Sequence, residues 1–128
     1  MSQKNKAIVE KVNAAFADGN NEGFLEQCLD NISWNMIGEE TRTGVATIRE
    51  FLSSMEGMEP PRFSVDKILA EGDSVACYGD MTMKGEDGVE SKYSFCDVYE
   101  FSGDKIANLQ SFVVKHKTEP EMGKNATA

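Results

Sequence analysis

The sequence predicts an α+β fold: a curved, mostly antiparallel sheet wrapped around three N-terminal helices, with an internal pocket between the layers. Three observations predict it. Apolar residues recur at helical spacing up to residue 55 and by twos after residue 62. The later segments are separated by Asp/Gly turns of the kind that join antiparallel strands. Long strands bent over helices leave a hollow where glycine relieves crowding, and Gly79 stands inside one of them.

The first helix carries Ile8, Val12, Ala15 and Phe16 on one face and stops at Asp18-Gly19-Asn20, a glycine C-cap signal. Phe24, Leu25, Cys28 and Leu29 mark a second, shorter helix. Over residues 31–37, Ile32, Trp34 and Met36 alternate with Ser33, Asn35 and Ile37, which predicts a short strand. A third helix follows Thr43-Gly44, with the stripe Ile48, Phe51, Leu52 and Met55, and Gly57 and Pro60-Pro61 end it. Strands are then expected over Phe63 to Ala70, Ser74 to Lys84, Lys92 to Phe101 and Lys105 to Lys115. Their turns are Glu71-Gly72-Asp73, Gly85-Glu86-Asp87-Gly88 and Ser102-Gly103-Asp104. These elements make one domain, 1–116. From Lys117 the string KTEPEMGKNATA is polar, with Pro and Gly, and predicts a flexible tail over 117–128.

A net charge of −9 argues against nucleic acid and against anionic membrane surfaces as partners, because both reward positive patches. The N-terminal MSQKNKAIVEKV is too polar for a secretory signal, and no apolar run reaches membrane-spanning length. Three cysteines without metal spacing, beside the single His116, exclude a structural zinc site. No cofactor is expected. Reduced, buried thiols fit a cytoplasmic protein.

Four strings carry a resemblance: VNAAFADGNNEGF at 12–24, SWNMIGEETRTGVATIREF at 33–51, AEGDSVACYGDMTM at 70–83, and YSFCDVYEFSGDKIANLQSFVV at 93–114. In order and spacing they resemble the nuclear transport factor 2-like superfamily, which includes ketosteroid isomerases and SnoaL-like polyketide cyclases. The resemblance implies a cone-shaped sheet with a pocket, and a homodimer across the outer sheet face. It also places inherited roles. The proton-shuttling carboxylate of the isomerases falls at Asn35, whose amide takes up no proton near neutral pH. Their oxyanion-binding phenol falls at Val12, and the aspartate of the cyclases falls at Ser111. The second oxyanion acid falls at Asp97, and this one is retained.

Asp97 interrupts an aromatic series, Tyr93, Phe95, Tyr99, Phe101, counted by twos along one strand. If that face turns inward, Tyr93, Phe95 and Tyr99 share it. Leu109, Ser111 and Val113 are expected beside it on the next strand, and Cys77, Gly79 and Met81 on the preceding one. Asn35 and Ser33 are expected to look in from the short strand, and Phe16 and Phe51 from the helices. Trp34, of opposite parity to Asn35, is assigned to core or interface packing, and His116 to solvent. The lining is apolar with a few polar groups, as in small-molecule sites. Loss of hydration raises the pKa of such a carboxyl, and no lysine or arginine is expected on its face to oppose this. The ketosteroid isomerases keep an acid neutral in this way to donate a hydrogen bond. The plainer reading is that Asp97 accepts from Tyr93, Tyr99 or another buried hydroxyl and holds the sheet together.

Three functions follow. One is a protein that binds a small hydrophobic molecule, with acid-assisted chemistry on a carbonyl compound through Asp97. Another is an isomerase, lyase or cyclase on a steroid- or polyketide-like substrate, with Asp97 and Asn35 as catalytic groups. The third is a dimeric interaction domain without catalysis, joined through an apolar outer face of Val98, Ile106, Phe112 and Val114. The lone buried acid and the missing base favour the first.

Overall fold

The computed structural model describes residues 2–55, 60–85 and 87–117. Gly57 as a helix stop, Glu86 of the second turn and the tail beyond 117 lie outside the described residues.

Helix α1 (Ser2–Ala17) buries Val9 and Val12 and leaves Phe16 half-buried against the core. It ends where Gly19 takes φ 71°, which lets the N–H of Asn20 return to the Ala15 carbonyl at 2.8 Å. The Asn20 side chain then caps α2 (Asn21–Leu25) by accepting from the Gly23 N–H.

The second helix is shorter than its apolar spacing predicts. Cys28 and Leu29 belong to strand β1 (Cys28–Met36). The last carbonyls of the turn are taken from outside: Lys105 Nζ donates to the Glu26 oxygen at 2.6 Å, and the Ile106 N–H to that of Gln27 at 2.8 Å. A remote strand thus draws the chain out of its helix. A further strand, β2 (Thr41–Thr43), stands between β1 and the third helix, where three residues carry no legible period. Helix α3 (Val45–Ser53) follows, with Ile48 and Leu52 buried.

Strands β3 (Arg62–Glu71), β4 (Ser74–Lys84), β5 (Glu90–Ser102) and β6 (Lys105–Lys115) form the body of the sheet. The strand order is β2-β1-β6-β5-β4-β3. Strand β1 lies parallel to β6, and the other neighbours are antiparallel. Helix α1 covers β3 and β4, and α3 covers β1. Between the layers lies a core that includes Phe24, Ile32, Trp34, Ile48, Tyr99 and Leu109.

Two irregularities curve the sheet. The β3–β4 register shifts between Val65 and Lys67, and there the β3 backbone presses onto Gly79, where any Cβ would collide with the Ser64 carbonyl oxygen. The β5–β6 register shifts between Glu100 and Phe101, so Ile106 and Leu109 both point inward. Ile106, expected on the outer face, is therefore fully buried. The bulge reverses its parity.

Candidate functional site

Directly paired residues in neighbouring strands share a face, so the register fixes what surrounds Asp97. Asp97 pairs with Cys77 on β4 and with Ser111 on β6, and Ser111 pairs with Met36 on β1. The next row inward is Val75, Tyr99, Leu109 and Trp34, all buried. The row toward the open end holds Gly79, Phe95 and Val113, followed by Met81 and Tyr93 with Phe63. The helices add Phe16 and Phe51 from above.

Asp97 keeps some surface at the open end yet is densely surrounded. Burial pushes its pKa from 3.8 up to about 6, while a hydrogen bond from Ser111 pulls the other way. Ser111 is itself held: Trp34 Nε1 donates to its hydroxyl oxygen at 2.9 Å. Its proton is thereby free to point at the carboxylate. Trp34, Ser111 and Asp97 thus stand in sequence across β1, β6 and β5, with the serine hydroxyl favouring the carboxylate. Cys77 is buried, its thiol pKa raised by that burial, and Asn13 Nδ2 lies 3.4 Å from its sulfur. The Tyr99 hydroxyl is buried without a partner among the described residues, and burial holds its pKa well above the phenol range. It therefore gives Asp97 no hydrogen bond.

Several expectations change. Asn35 pairs with Thr41 and Gln110, and alternation along β1 puts it with Ser33 on the outer face, opposite Trp34 and Met36. Asn35 is not brought to Asp97, because the inward set on β1 is Ile32, Trp34 and Met36. Val113 has the expected parity but is 48% exposed. A cation does share the concave face: Arg42, opposite Trp34 on β2, has its guanidinium 3.7 Å from the Phe51 ring centroid.

Rings stand between the helices and the sheet. Phe16, Phe24, Trp34 and Phe51 form a continuous series with centroids 5.0, 5.5 and 6.1 Å apart. A depression of about 380 Å³ lies at the far end of β1, lined by Leu25, Cys28, Leu29 and Val45 together with the charged residues Glu22, Glu26, Asp30, Arg49 and Lys105. A smaller cleft of about 10 Å³ opens beside Pro60 and Arg62. Asp97 lines neither. Half-buried side chains toward the open end of the concave face, its mouth, are Met36, Phe51, Phe63, Met81 and Tyr93.

Asn13 and Arg42 escape sequence reasoning. Asn13 follows the buried Val12 on a helix whose stripe gives it no distinction, and Arg42 is legible only from the β1–β2 register. His116 is exposed as expected, with Nε2 2.7 Å from the Ser94 hydroxyl, which donates to Asp80 at 3.0 Å on the outer face. Among the described residues no cluster of His, Cys, Asp and Glu could hold a metal, and no helix is long and apolar enough to cross a membrane.

The profile of the SnoaL-like domain family matches residues 9–109. The chain belongs to this family. Its membership places it in the nuclear transport factor 2-like superfamily, and solved structures agree on the fold. A nuclear transport factor 2-like protein of unknown function from Burkholderia pseudomallei K96243 superposes with a TM-score of 0.79 at 17% identity, covering 98% of each chain. An epoxide hydrolase from M. tuberculosis described as LEH-like gives 0.78 at 15% identity, over 88% of this chain and 84% of that one. SalBIII, described as an epoxide hydrolase/cyclase-like enzyme with a role in pyran ring formation in the polyether salinomycin, gives 0.77 at 24% identity, over 87% and 91%. No curated protein matches significantly. The SnoaL-like domain thus keeps its fold at identities too low to carry chemistry across.

Proposed function

We propose that this SnoaL-like domain binds a small hydrophobic carbonyl compound at the concave mouth and assists its chemistry through Asp97. The observation that carries this reading is the carboxyl itself. It lies among apolar side chains with a pKa near 6, held by a serine that is fixed in turn by a buried indole. At pH 7 such a group is ionised by roughly ten to one. It is therefore not a standing neutral donor. A ligand that covers the mouth removes the remaining water, disfavours the charge further and draws in a proton, and the neutral acid then donates to the ligand carbonyl. Phe51, Phe63, Met81, Tyr93 and Phe95 would line the apolar body of the ligand, with Phe16 behind them. Fold neighbours described as epoxide hydrolase and cyclase-like enzymes support a small-molecule site.

Native mass spectrometry of protein purified from its own host, with thermal stability across a panel of aryl alkyl ketones, tests this. A co-purifying small molecule or a ketone-dependent rise in Tm is expected in wild type and not in Asp97→Asn. An empty protein with unchanged Tm across the panel overturns the reading.

The outer face supports a homodimer as a second proposal. Tyr78, Cys96 and Phe112 stand side by side in register, and Val114 beside them is 66% exposed. A second copy of the chain would cover this row across a two-fold axis. Light scattering is expected to give twice 14.1 kDa, and a monomer refutes it.

A further inference from the structure

The geometry points to a ligand that carries an acid as well as a carbonyl: we propose that Arg42 binds the carboxylate of a hydrophobic keto acid whose carbonyl reaches Asp97. This rests on the small-molecule reading above and names its substrate class. Arg42 sits opposite Trp34 on β2, so its side chain turns toward the concave face. That side chain is only 19% exposed. Its guanidinium lies flat enough on Phe51 for a 3.7 Å approach to the ring centroid, and Nη1 is 3.8 Å from the Met36 sulfur. Among the described residues the carboxylate nearest to its charge is that of Glu40, at 3.7 Å, beyond hydrogen-bond length, on a side chain that is 73% exposed.

A largely buried guanidinium is costly to hold without oxygen partners, and its planar fork matches a carboxylate in two parallel bonds. Here an aromatic face and a thioether hold the fork in place, while neither gives its N–H groups a strong acceptor. Such a cation is preset for an anion. The chain as a whole carries −9, so an acidic ligand has little general attraction to it and needs a specific cation.

The register also sets the size of the ligand. Asp97, Ser111 and Met36 step across β5, β6 and β1 in a single row, and Met36 touches Arg42 on β2. Three strand spacings put the two backbones about 14 Å apart, and with a hydrogen bond of about 2.9 Å at either end a ligand body of up to roughly 8 Å spans them. Met36, Phe51 and Trp34 flank that path with apolar surface.

Isothermal calorimetry of the full chain with ω-benzoylhexanoic acid and its methyl ester tests the assignment. The acid is expected to bind wild type at least tenfold more tightly than the ester. Arg42→Met is expected to erase that preference, and a cooperative thermal unfolding transition like that of wild type shows that the variant is folded. Arg42→Lys, which keeps the charge and loses the fork, is expected to retain part of it. Equal affinity of acid and ester for wild type overturns the role of Arg42 while leaving the apolar site standing, and so does a preference that survives in Arg42→Met. Failure of both compounds to bind wild type overturns the small-molecule reading and this assignment with it.

Discussion

Trp34 and Ser111, 77 positions apart in the chain, meet at 2.9 Å, with the indole N–H donating to the hydroxyl oxygen. The parallel pairing of β1 with β6 creates this contact, and it orients the Ser111 hydroxyl that favours the Asp97 carboxylate. Replacing Ser111 by alanine leaves a buried indole N–H unpaired and removes the donor that favours the carboxylate. Denaturant unfolding is expected to show a loss of about 2 kcal/mol. The Asp97 pKa is expected to rise further above 6, read by carbon-detected NMR of the carboxyl. A fall toward 3.8 contradicts this account of the pair.

Folding raises the Asp97 pKa from 3.8 to about 6, so the native state binds the extra proton. Below 3.8 both states are protonated and the group adds no penalty. Between these values stability falls as pH rises, and above 6 both states are ionised and the full penalty applies, at most about 3 kcal/mol. Asp97→Asn removes this dependence. The difference in unfolding free energy between wild type and variant is expected to move in favour of the variant from pH 4 to pH 7. A difference that stays flat rejects the burial argument.

The hydroxyl of Tyr99 is buried with no partner among the described residues, so it stabilises nothing by hydrogen bonding. Tyr99→Phe keeps the ring packed on Val75 and Leu109 and is expected to be neutral or to stabilise by about 1 kcal/mol in thermal unfolding. A clear loss of stability would mean that the hydroxyl is used.

Gly79 faces the bulge on β3, where a methyl group would meet backbone, which cannot turn aside. Gly79→Ala is expected to cost about 3 kcal/mol, or to open the β3–β4 pair, measured as lost amide protection along β3. Wild-type stability in this variant would mean that the sheet is free to flatten there.

Local pattern determined a good deal by itself. The period-two alternation from Phe63 to Lys115 yields the four long strands, and the parity of β5 already places Asp97 with Phe95 and Tyr99 on one face. Gly19 and Asn20 mark the junction of the first two helices without any partner. These features depend on neighbours a few residues away, so the chain displays them.

The tertiary structure alone decided which side of β1 faces the site, where α2 stops, and which way Ile106 points. Each depends on a segment distant in the sequence: β6 pairs with β1 and brings Trp34 to Ser111, Lys105 and Ile106 take the carbonyls after α2, and a bulge against Glu100 reverses Ile106. Arg42 reaches the concave face for the same reason, since a three-residue strand acquires a side only from the strand it pairs with. Periodicity is written along one strand. Register is settled between two, by hydrogen bonds and packing that no single stretch of sequence contains.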